Sequence, residues 1–293
     1  MELDYVKLKE IKPAIAGYIR ESQSLLKRPP VPDEKAVHDI RVLMKKSRAV
    51  LKLASPQLDD PFFSRDVTDL REVGRMLRSQ REISVHRKIL KEFRKEYPGI
   101  FSELRENVML KQILEKHEPG LEPSEVIKAS LEQIDSLLNK TAYRIRFQTM
   151  NSIDPQLLLR ELELTYIDVV HAYLNCRNNP KQEMLHKFRK RAKDFLYQLY
   201  IFRPLNPSRV KDLEKKLDSM TQNLGKYNDF AQIILDLNYN YKNKTNLAAI
   251  DELIIKFREA QDRYLGKVWP TAYQVFCPGQ KLVNVLGFKL LVI

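Results

Sequence analysis

A histidine-basic pattern occurs twice in this chain, half a chain apart, and it constrains the fold more than any other feature. The first copy, AVHDIRVLMKKSRAVLKL, carries His38, Arg41, Lys45 and Arg48. The second copy, MLHKFRKRAKDFLYQLYI, carries His186, Arg189 and Lys193. The two histidines are 148 positions apart in a chain of 293 residues. We therefore expect two related halves, packed about a pseudo-two-fold axis around one shared core.

The apolar periodicity predicts an all-α fold. Apolar residues recur at i, i+3, i+4 and i+7 over long runs, which is the period of a half-buried helix, and only 8 glycines are present. Prolines and polar breaks separate helical segments at about 10–27, 33–55, 63–96, a stretch ending near His117, 123–148, 154–177, 181–203, 206–242 and 246–267. We predict a single domain of two roughly four-helix repeats, approximately 1–148 and 149–270, with a C-terminal tail over 271–293.

The repeat extends beyond the motif helix. Downstream of the histidines the two halves align at an offset of 147, where LREVGRMLRSQREISV (70–85) matches LDSMTQNLGKYNDFAQ (217–232). The change of offset by one residue indicates a single insertion or deletion. Each half then has the same order of features: a helix, a proline break, the histidine-basic helix, a second break and a long helix.

Helical geometry predicts that the basic residues line a groove. On a helical wheel His38, Arg41, Lys45 and Arg48 fall on one side, and apolar residues flank them on both edges. Asp39 and Lys46 mark the face expected in water, and Asp194 takes the place of Lys46 in the second copy. That second stripe continues as Leu196, Tyr197 and Tyr200, so the first half is expected to carry more of the charge.

The formal net charge of +13 favours a polyanionic partner without identifying it. The long segment after the first motif adds a further arginine row: Arg71, Arg75, Arg78 and Arg81. Guanidinium groups suit phosphate because their planar donors can bind two oxygens at once. This row is equally compatible with a solvated face paired to acidic residues.

Together these elements resemble the CHAD family, which is named for a conserved-histidine α-helical domain. The matching elements are VHDIRVLMKKSR (37–48), LHKFRKRAKDFLY (185–197), SQREISV (79–85) and GKYNDFA (225–231). The resemblance implies a pseudo-symmetric helical bundle whose basic central channel binds inorganic polyphosphate, with catalysis coming only from fused partner domains. No cofactor and no metal-binding residues are expected. The chain departs from the family pattern at Asp194, Leu196 and Glu82.

The expected polyphosphate contacts follow from the motif match and the arginine row: His38, Arg41, Lys45, Arg48, Arg75, Arg78, Arg81, His186, Arg189 and Lys193. A secondary set of contacts comprises Lys46, Lys52, Lys190 and Tyr197.

The sequence also leaves functions other than polyphosphate binding open. The sequence shows no carboxylate cluster at metal-ligand spacing, no glycine-rich phosphate loop and no nucleophile motif, so an enzyme is not expected. The alternatives are a nucleic-acid-binding helical protein, a phosphohistidine-type phosphotransfer protein, and a scaffold that docks a protein partner through the apolar tail LVNVLGFKLLVI. Specific nucleic-acid binding is not expected, because no base-stacking platform is recognisable.

The location is predicted to be cytoplasmic, with association with polyphosphate granules. The N-terminus is charged throughout, unlike a signal peptide. No apolar run reaches the length of about 20 residues that a membrane span needs. The two cysteines, Cys176 and Cys277, indicate neither a disulfide framework nor a zinc site.

Overall fold

The structure, a computed structural model, describes residues 7–27, 32–58, 60–105, 110, 125–148, 150, 153–240 and 247–287, and most of these residues lie in helices. The α-helices are α1 (Ile11–Leu26), α2 (Glu34–Ala54), α3 (Asp60–Met76), α4 (Arg78–Glu96), α5 (Pro98–Glu103), α6 (Glu125–Phe147), α7 (Pro155–Asn178), α8 (Gln182–Phe202), α9 (Pro207–Asn240), α10 (Leu247–Phe276) and α11 (Leu282–Leu286). Short 3₁₀ helices follow α2 (Ser55–Gln57) and α8 (Arg203–Leu205). The all-α prediction is confirmed, and no strand occurs within the described ranges.

Local signals in the sequence explain where the motif helix and its neighbour in the second half begin. The carboxylate of Asp33 accepts a hydrogen bond from the backbone N–H of Ala36 at 2.7 Å, which satisfies one free donor at the start of α2. Asp154 does the same for Gln156 at 2.8 Å, with Pro155 in the first turn of α7. The predicted starts of these two helices therefore agree with the structure to within about one residue.

The helices of each half form a closed four-helix unit. In the first unit α1 contacts α2, α2 contacts α3, α3 contacts α6 and α6 contacts α1. In the second unit α7, α8, α9 and α10 repeat the same order of contacts. The units meet where α2 packs on α8 and α7, and one hydrophobic core extends through both. This order is what duplication of a four-helix unit predicts; the pseudo-two-fold axis and the repeat limits stay predictions.

The two motif helices are also joined by a buried hydrogen bond. The side-chain amide of Gln198 on α8 donates to the carbonyl of Ala49 on α2 at 3.1 Å. Gln198 itself is completely buried. Because a buried polar group must keep its partner, this bond holds the two motif helices in register.

The predicted long segment 63–96 is interrupted. Leu77 has φ −89° and ψ 9°, and it separates α3 from α4. Arg41 donates a hydrogen bond to the carbonyl of Gly74 in the last turn of α3, so the carbonyl has a partner at the break. In the second half α9 continues without interruption from Pro207 to Asn240.

A second, smaller core lies beside the first. It is formed by α4, α5, the end of α9 and the start of α10, with Phe93, Phe230 and Phe257 in mutual ring contact. The helix expected to continue to His117 ends at Glu103, and the residues 106–109 and 111–124 lie outside the described part.

The C-terminal region differs from the prediction in one respect. We expected the last helix to end near residue 267, but α10 continues through Pro270 to Phe276. The lost backbone hydrogen bond is outweighed by packing, since Val268, Ala272 and Phe276 are fully buried on both sides of the proline. In the tail, α11 buries its apolar residues in the main core; residues 288–293 lie outside the described part.

Candidate functional site

A basic cavity of about 1040 Å³ lies between the two motif helices. Its walls are formed by α2 and α8, with contributions from α1, from α9 and from the 3₁₀ turn between α8 and α9. Nine lysines and arginines line it, against four acids. These charged groups and the histidines are His38, Asp39, Lys45, Lys46, Arg48, His186, Arg189, Lys190, Lys193, Asp194, Arg203, Lys211, Glu214, Lys215 and Asp218. The cavity therefore has a formal excess of five positive charges.

Lys45 is the most perturbed cation in the cavity. Burial lowers its pKa to about 8, and repulsion from Arg189, Arg41, Arg48 and Lys193 adds to the effect. Among the described residues no carboxylate lies within ion-pair distance of its amine. No carboxylate in the described part of the chain thus compensates the charge at this position, and a bound anion would supply a partner.

The corresponding lysine of the second half is compensated. Lys193 donates to the carboxylate of Asp218 at 2.9 Å, and Asp218 also accepts from Gln222 at 2.7 Å. At the offset of 147, the position equivalent to Asp218 is Arg71, which is exposed. Burial of Arg48 lowers the pKa of that guanidinium, and repulsion from Arg71 lowers it further. Equivalent positions in the two halves therefore carry opposite charges.

The arginines of the two motifs bond their long helices in equivalent ways. Arg189 Nε donates to the carbonyl of Thr221 at 3.2 Å, and Arg41 bonds the carbonyl of Gly74, which is 147 residues earlier. A Cβ at Gly225 would lie 3.1 Å from Arg189 Nη2. The absence of a side chain there lets the guanidinium lie close to α9. Arg189 lines the cavity, whereas Arg41 is not among the lining residues; it bonds α3 and lowers the pKa of Lys45 through its charge.

Both motif histidines line the cavity and are exposed. For His186, loss of hydration lowers the pKa below its ordinary value, and Arg189 acts in the same direction, while a hydrogen bond to Asn228 opposes them. Neutral imidazole can donate one hydrogen bond to an anion, and the protonated ring offers two donors.

Tyrosines form the apolar part of the wall. Burial raises the pKa of Tyr18 and of Tyr197 to about 12, so both hydroxyls keep their protons at neutral pH. The ring of Tyr200 is covered by Lys9 Nζ at 4.0 Å and by Arg203 Cζ at 4.8 Å. Cations already contact this ring, so a nucleic-acid base would have to compete with them in order to stack on it.

The structure corrects the expected orientation of three residues. Asp39, Lys46 and Asp194 were placed on the outer face, but all three line the cavity. The reason is that Val42 also lines the cavity, so the open face of α2 extends beyond the basic row to this residue and its neighbours. Asp194 is half-buried, and burial raises its pKa.

The arginine row of the first half lies away from the cavity as far as it is described. Arg75 is exposed and forms an ion pair with Glu72 at 2.6 Å. Arg78 is also exposed and is not a lining residue, and the side chain of Arg81 is outside the described part. Arg75 therefore fits the alternative of a solvated helix face whose arginines pair with acidic residues.

Of the secondary set of predicted contacts, Lys46, Lys190 and Tyr197 line the cavity. Lys52 is not among the lining residues described, although its charge lowers the pKa of Asp194 against the larger effect of burial.

Some lining residues were missed by the sequence reasoning. Arg203, Lys211 and Lys215 approach from the end of α8 and the start of α9, and Glu214 binds Arg203 at 2.7 Å. The spacing of Lys211 and Lys215 is a helical i, i+4 pair, which is a signal in the sequence. It could not be interpreted without knowing which face of α9 meets the cavity.

Within the described residues, no group of three or more His, Cys, Asp and Glu side chains is arranged to hold a metal ion. Nor is any of the described helices both long and apolar enough to cross a membrane.

Comparisons with known proteins agree with this architecture. The family model described as CHAD domain matches residues 19–233. The crystal structure of the CHAD domain from the plant Ricinus communis is similar to 99% of this chain and 96% of that chain, with a TM-score of 0.50 and 15% sequence identity. At this identity the likeness concerns the fold. A search of curated proteins found no match.

Proposed function

Because this chain belongs to the CHAD domain family, whose members are linked to polyphosphate binding and are generally non-catalytic, we propose that its basic cavity binds inorganic polyphosphate. The observation that carries the proposal is the lining of one cavity by both motif helices, with nine cations against four acids. Binding is non-catalytic, and it sequesters or localises the polymer.

The first half supplies the strongest attraction. Lys45 and Arg48 have no carboxylate within ion-pair distance among the described residues, whereas Lys193 already binds Asp218. An anion at Lys45 replaces repulsion with attraction, while an anion at Lys193 must compete with a carboxylate. We therefore propose that polyphosphate affinity depends more on Lys45 than on Lys193.

His38, His186 and Arg189 are proposed to complete the contacts around the cavity. Arg41 has a positioning role, since it bonds the end of α3 and repels Lys45. Proton uptake by Lys45 should accompany binding above pH 8, because a phosphate stabilises its charged form.

The test is a titration with long-chain polyphosphate, single-stranded DNA and duplex DNA at about 150 mM salt, where surface electrostatics are screened beyond about 8 Å. Wild-type protein is compared with Lys45→Ala, Lys193→Ala and the control Lys187→Ala, which changes an exposed lysine of α8 outside the cavity lining. We expect tighter binding of polyphosphate than of DNA, the largest loss with Lys45→Ala and little change with Lys187→Ala.

Binding should also weaken as a power of salt concentration, by the counterion release known for nucleic acids. Equal affinity for all three polymers, unchanged by either cavity substitution, would refute the proposal and favour non-specific attraction to the +13 surface. Hydrolysis of polyphosphate with added Mg²⁺ would refute the non-catalytic assignment.

A further inference from the structure

Lys45 has the surroundings of a reactive amine as well as those of an anion ligand. It lines a cavity large enough for small molecules, about 1040 Å³, and no described carboxylate engages it. Arg48 and Arg189 line the same cavity, and both act on Lys45. The cations that face the amine from α2 and α8 are Arg41, Arg48, Arg189 and Lys193. An electrophile carrying a phosphate would be drawn to this amine by its neighbours.

We propose that Lys45 is a site of covalent acylation by acyl phosphates, and that this modification lowers the affinity of the basic cavity for polyanions. The acylation itself needs only a small phosphate-bearing donor. The second clause rests on the proposed polyphosphate function.

The chemistry balances without any further reactant. The neutral amine of Lys45 attacks the carbonyl carbon of the acyl phosphate, and a C–N bond forms. The C–O bond to the phosphate breaks, and inorganic phosphate leaves with its electron pair. The nitrogen loses a proton to solvent, which leaves an uncharged amide.

The state of the amine favours this step. Burial first, and then the neighbouring cations, lower the pKa of Lys45 to about 8. At physiological pH, the fraction of the Lys45 amine that is neutral and nucleophilic is therefore larger than the neutral fraction of an exposed lysine with an ordinary pKa. The same cations bind the phosphate of the donor and stabilise it as it departs.

Lys193 is a matched internal control. It occupies the equivalent position of α8 in the same cavity, but its amine donates to Asp218 at 2.9 Å. Burial lowers the pKa of Lys193 as well, but the ion pair with Asp218 opposes this effect and makes the amine less available as a nucleophile. The two lysines thus share the cavity, and of the two only Lys193 is held by a carboxylate among the described residues.

The experiment treats the full chain with acetyl phosphate at pH 8, and peptide mass spectrometry measures the rate at each lysine. We expect Lys45 to react at least about tenfold faster than Lys193, whose amine is engaged by Asp218, and than the exposed Lys187, which lies outside the cavity lining and so away from the cations that bind the donor phosphate. A neutral acetyl ester is the comparison donor, and it should show less preference for Lys45.

Equal rates at the three lysines would overturn the proposal, and so would equal selectivity with the two donors. These measurements contain no polyphosphate, so they remain valid if the proposed function fails. Failure of untreated protein to bind polyphosphate would refute the proposed function alone.

The effect on binding is tested with Lys45→Arg, which stays charged and cannot be acylated in this way. Each protein is titrated with long-chain polyphosphate before and after acetyl phosphate treatment. Treatment should weaken polyphosphate binding by wild type, and the change in affinity should be several-fold larger than the change for Lys45→Arg. A roughly fivefold difference in affinity corresponds to about 1 kcal/mol of binding free energy. Prior addition of polyphosphate should slow acetylation of Lys45. Equal changes in the two proteins, or absence of protection, would overturn the proposed effect on the cavity.

Discussion

Replacing Lys45 with methionine is expected to stabilise the free protein while it weakens polyanion binding. The pKa of Lys45 in the folded protein is about 8, against 10.5 for an ordinary lysine. Each unit corresponds to about 1.4 kcal/mol, so the ammonium destabilises the fold by about 3 kcal/mol at pH 7. Access of solvent to the cavity reduces this figure, and we expect a gain of about 1–3 kcal/mol from the uncharged side chain.

The gain should depend on pH in a defined direction. Between pH 8 and 10.5 the unfolded chain holds a proton on Lys45 that the folded protein has released. Unfolding then takes up protons, and the stability of wild type rises with pH across this window. The advantage of Lys45→Met is therefore fully present below pH 8 and is lost as the pH approaches 10.5.

Urea denaturation at pH 7 and at pH 9.5 measures both effects, with unchanged m-values as the criterion that the same surface is exposed. Lys193→Met is the matched control. Burial lowers the pKa of Lys193 too, but its ion pair with the half-exposed Asp218 opposes this effect, so the substitution should raise the unfolding free energy by less than Lys45→Met does. With saturating polyphosphate the order should reverse, because ligand that binds the folded state stabilises wild type more strongly.

The result that would refute this reasoning is a Lys45→Met protein that is less stable than wild type at pH 7. A gain independent of pH would also refute it, because the stabilisation would then come from packing and not from removal of a charge.

Three further substitutions test other parts of the structure. Gly225→Ala should raise the stability of α9 by up to about 1 kcal/mol, which urea denaturation measures. It should also weaken polyphosphate binding in a titration, because its Cβ would displace Arg189. Unchanged affinity would contradict the role given to this glycine. Asp218→Asn should tighten polyphosphate binding by up to about fivefold, since Lys193 is released from its ion pair, which is worth up to about 1 kcal/mol; weaker binding in the same titration would count against competition by this carboxylate. Arg144→Met should lower the unfolding free energy by about 3–5 kcal/mol, because it leaves two aspartates of α3, one of them fully buried, without their cation; a loss below about 1 kcal/mol in denaturant would show that the network is not structural.

The fold could be predicted from the sequence where local signals coincide. Asp33 and Asp154 cap their helices as expected, and prolines follow α2 and α8 as predicted. The break at Leu77 could not be predicted, since it is accompanied by a hydrogen bond from Arg41, which lies 33 residues before Gly74. The continuation of α10 beyond residue 267 could not be predicted either, because buried neighbours maintain the helix through Pro270.

The site was predicted in part. Motif spacing identified His38, Lys45 and Arg48 as residues of one face, and they share the cavity. The helical wheel of α2 could not show which part of that face borders the cavity, because the position of the cavity depends on how α2, α8 and α9 pack. For this reason Lys46 was assigned to solvent and Lys211 was not considered.

The opposite charges at Arg71 and Asp218 have a kinetic consequence for a polymer held as proposed. Polyphosphate is chemically identical in both directions, so any directionality of the complex must come from the protein. When a phosphate leaves Lys193, the carboxylate of Asp218 can bind the lysine in its place. When a phosphate leaves Lys45, the repulsion between this lysine and the neighbouring cations returns. We therefore expect release of the chain to begin in the second half and to proceed toward the first.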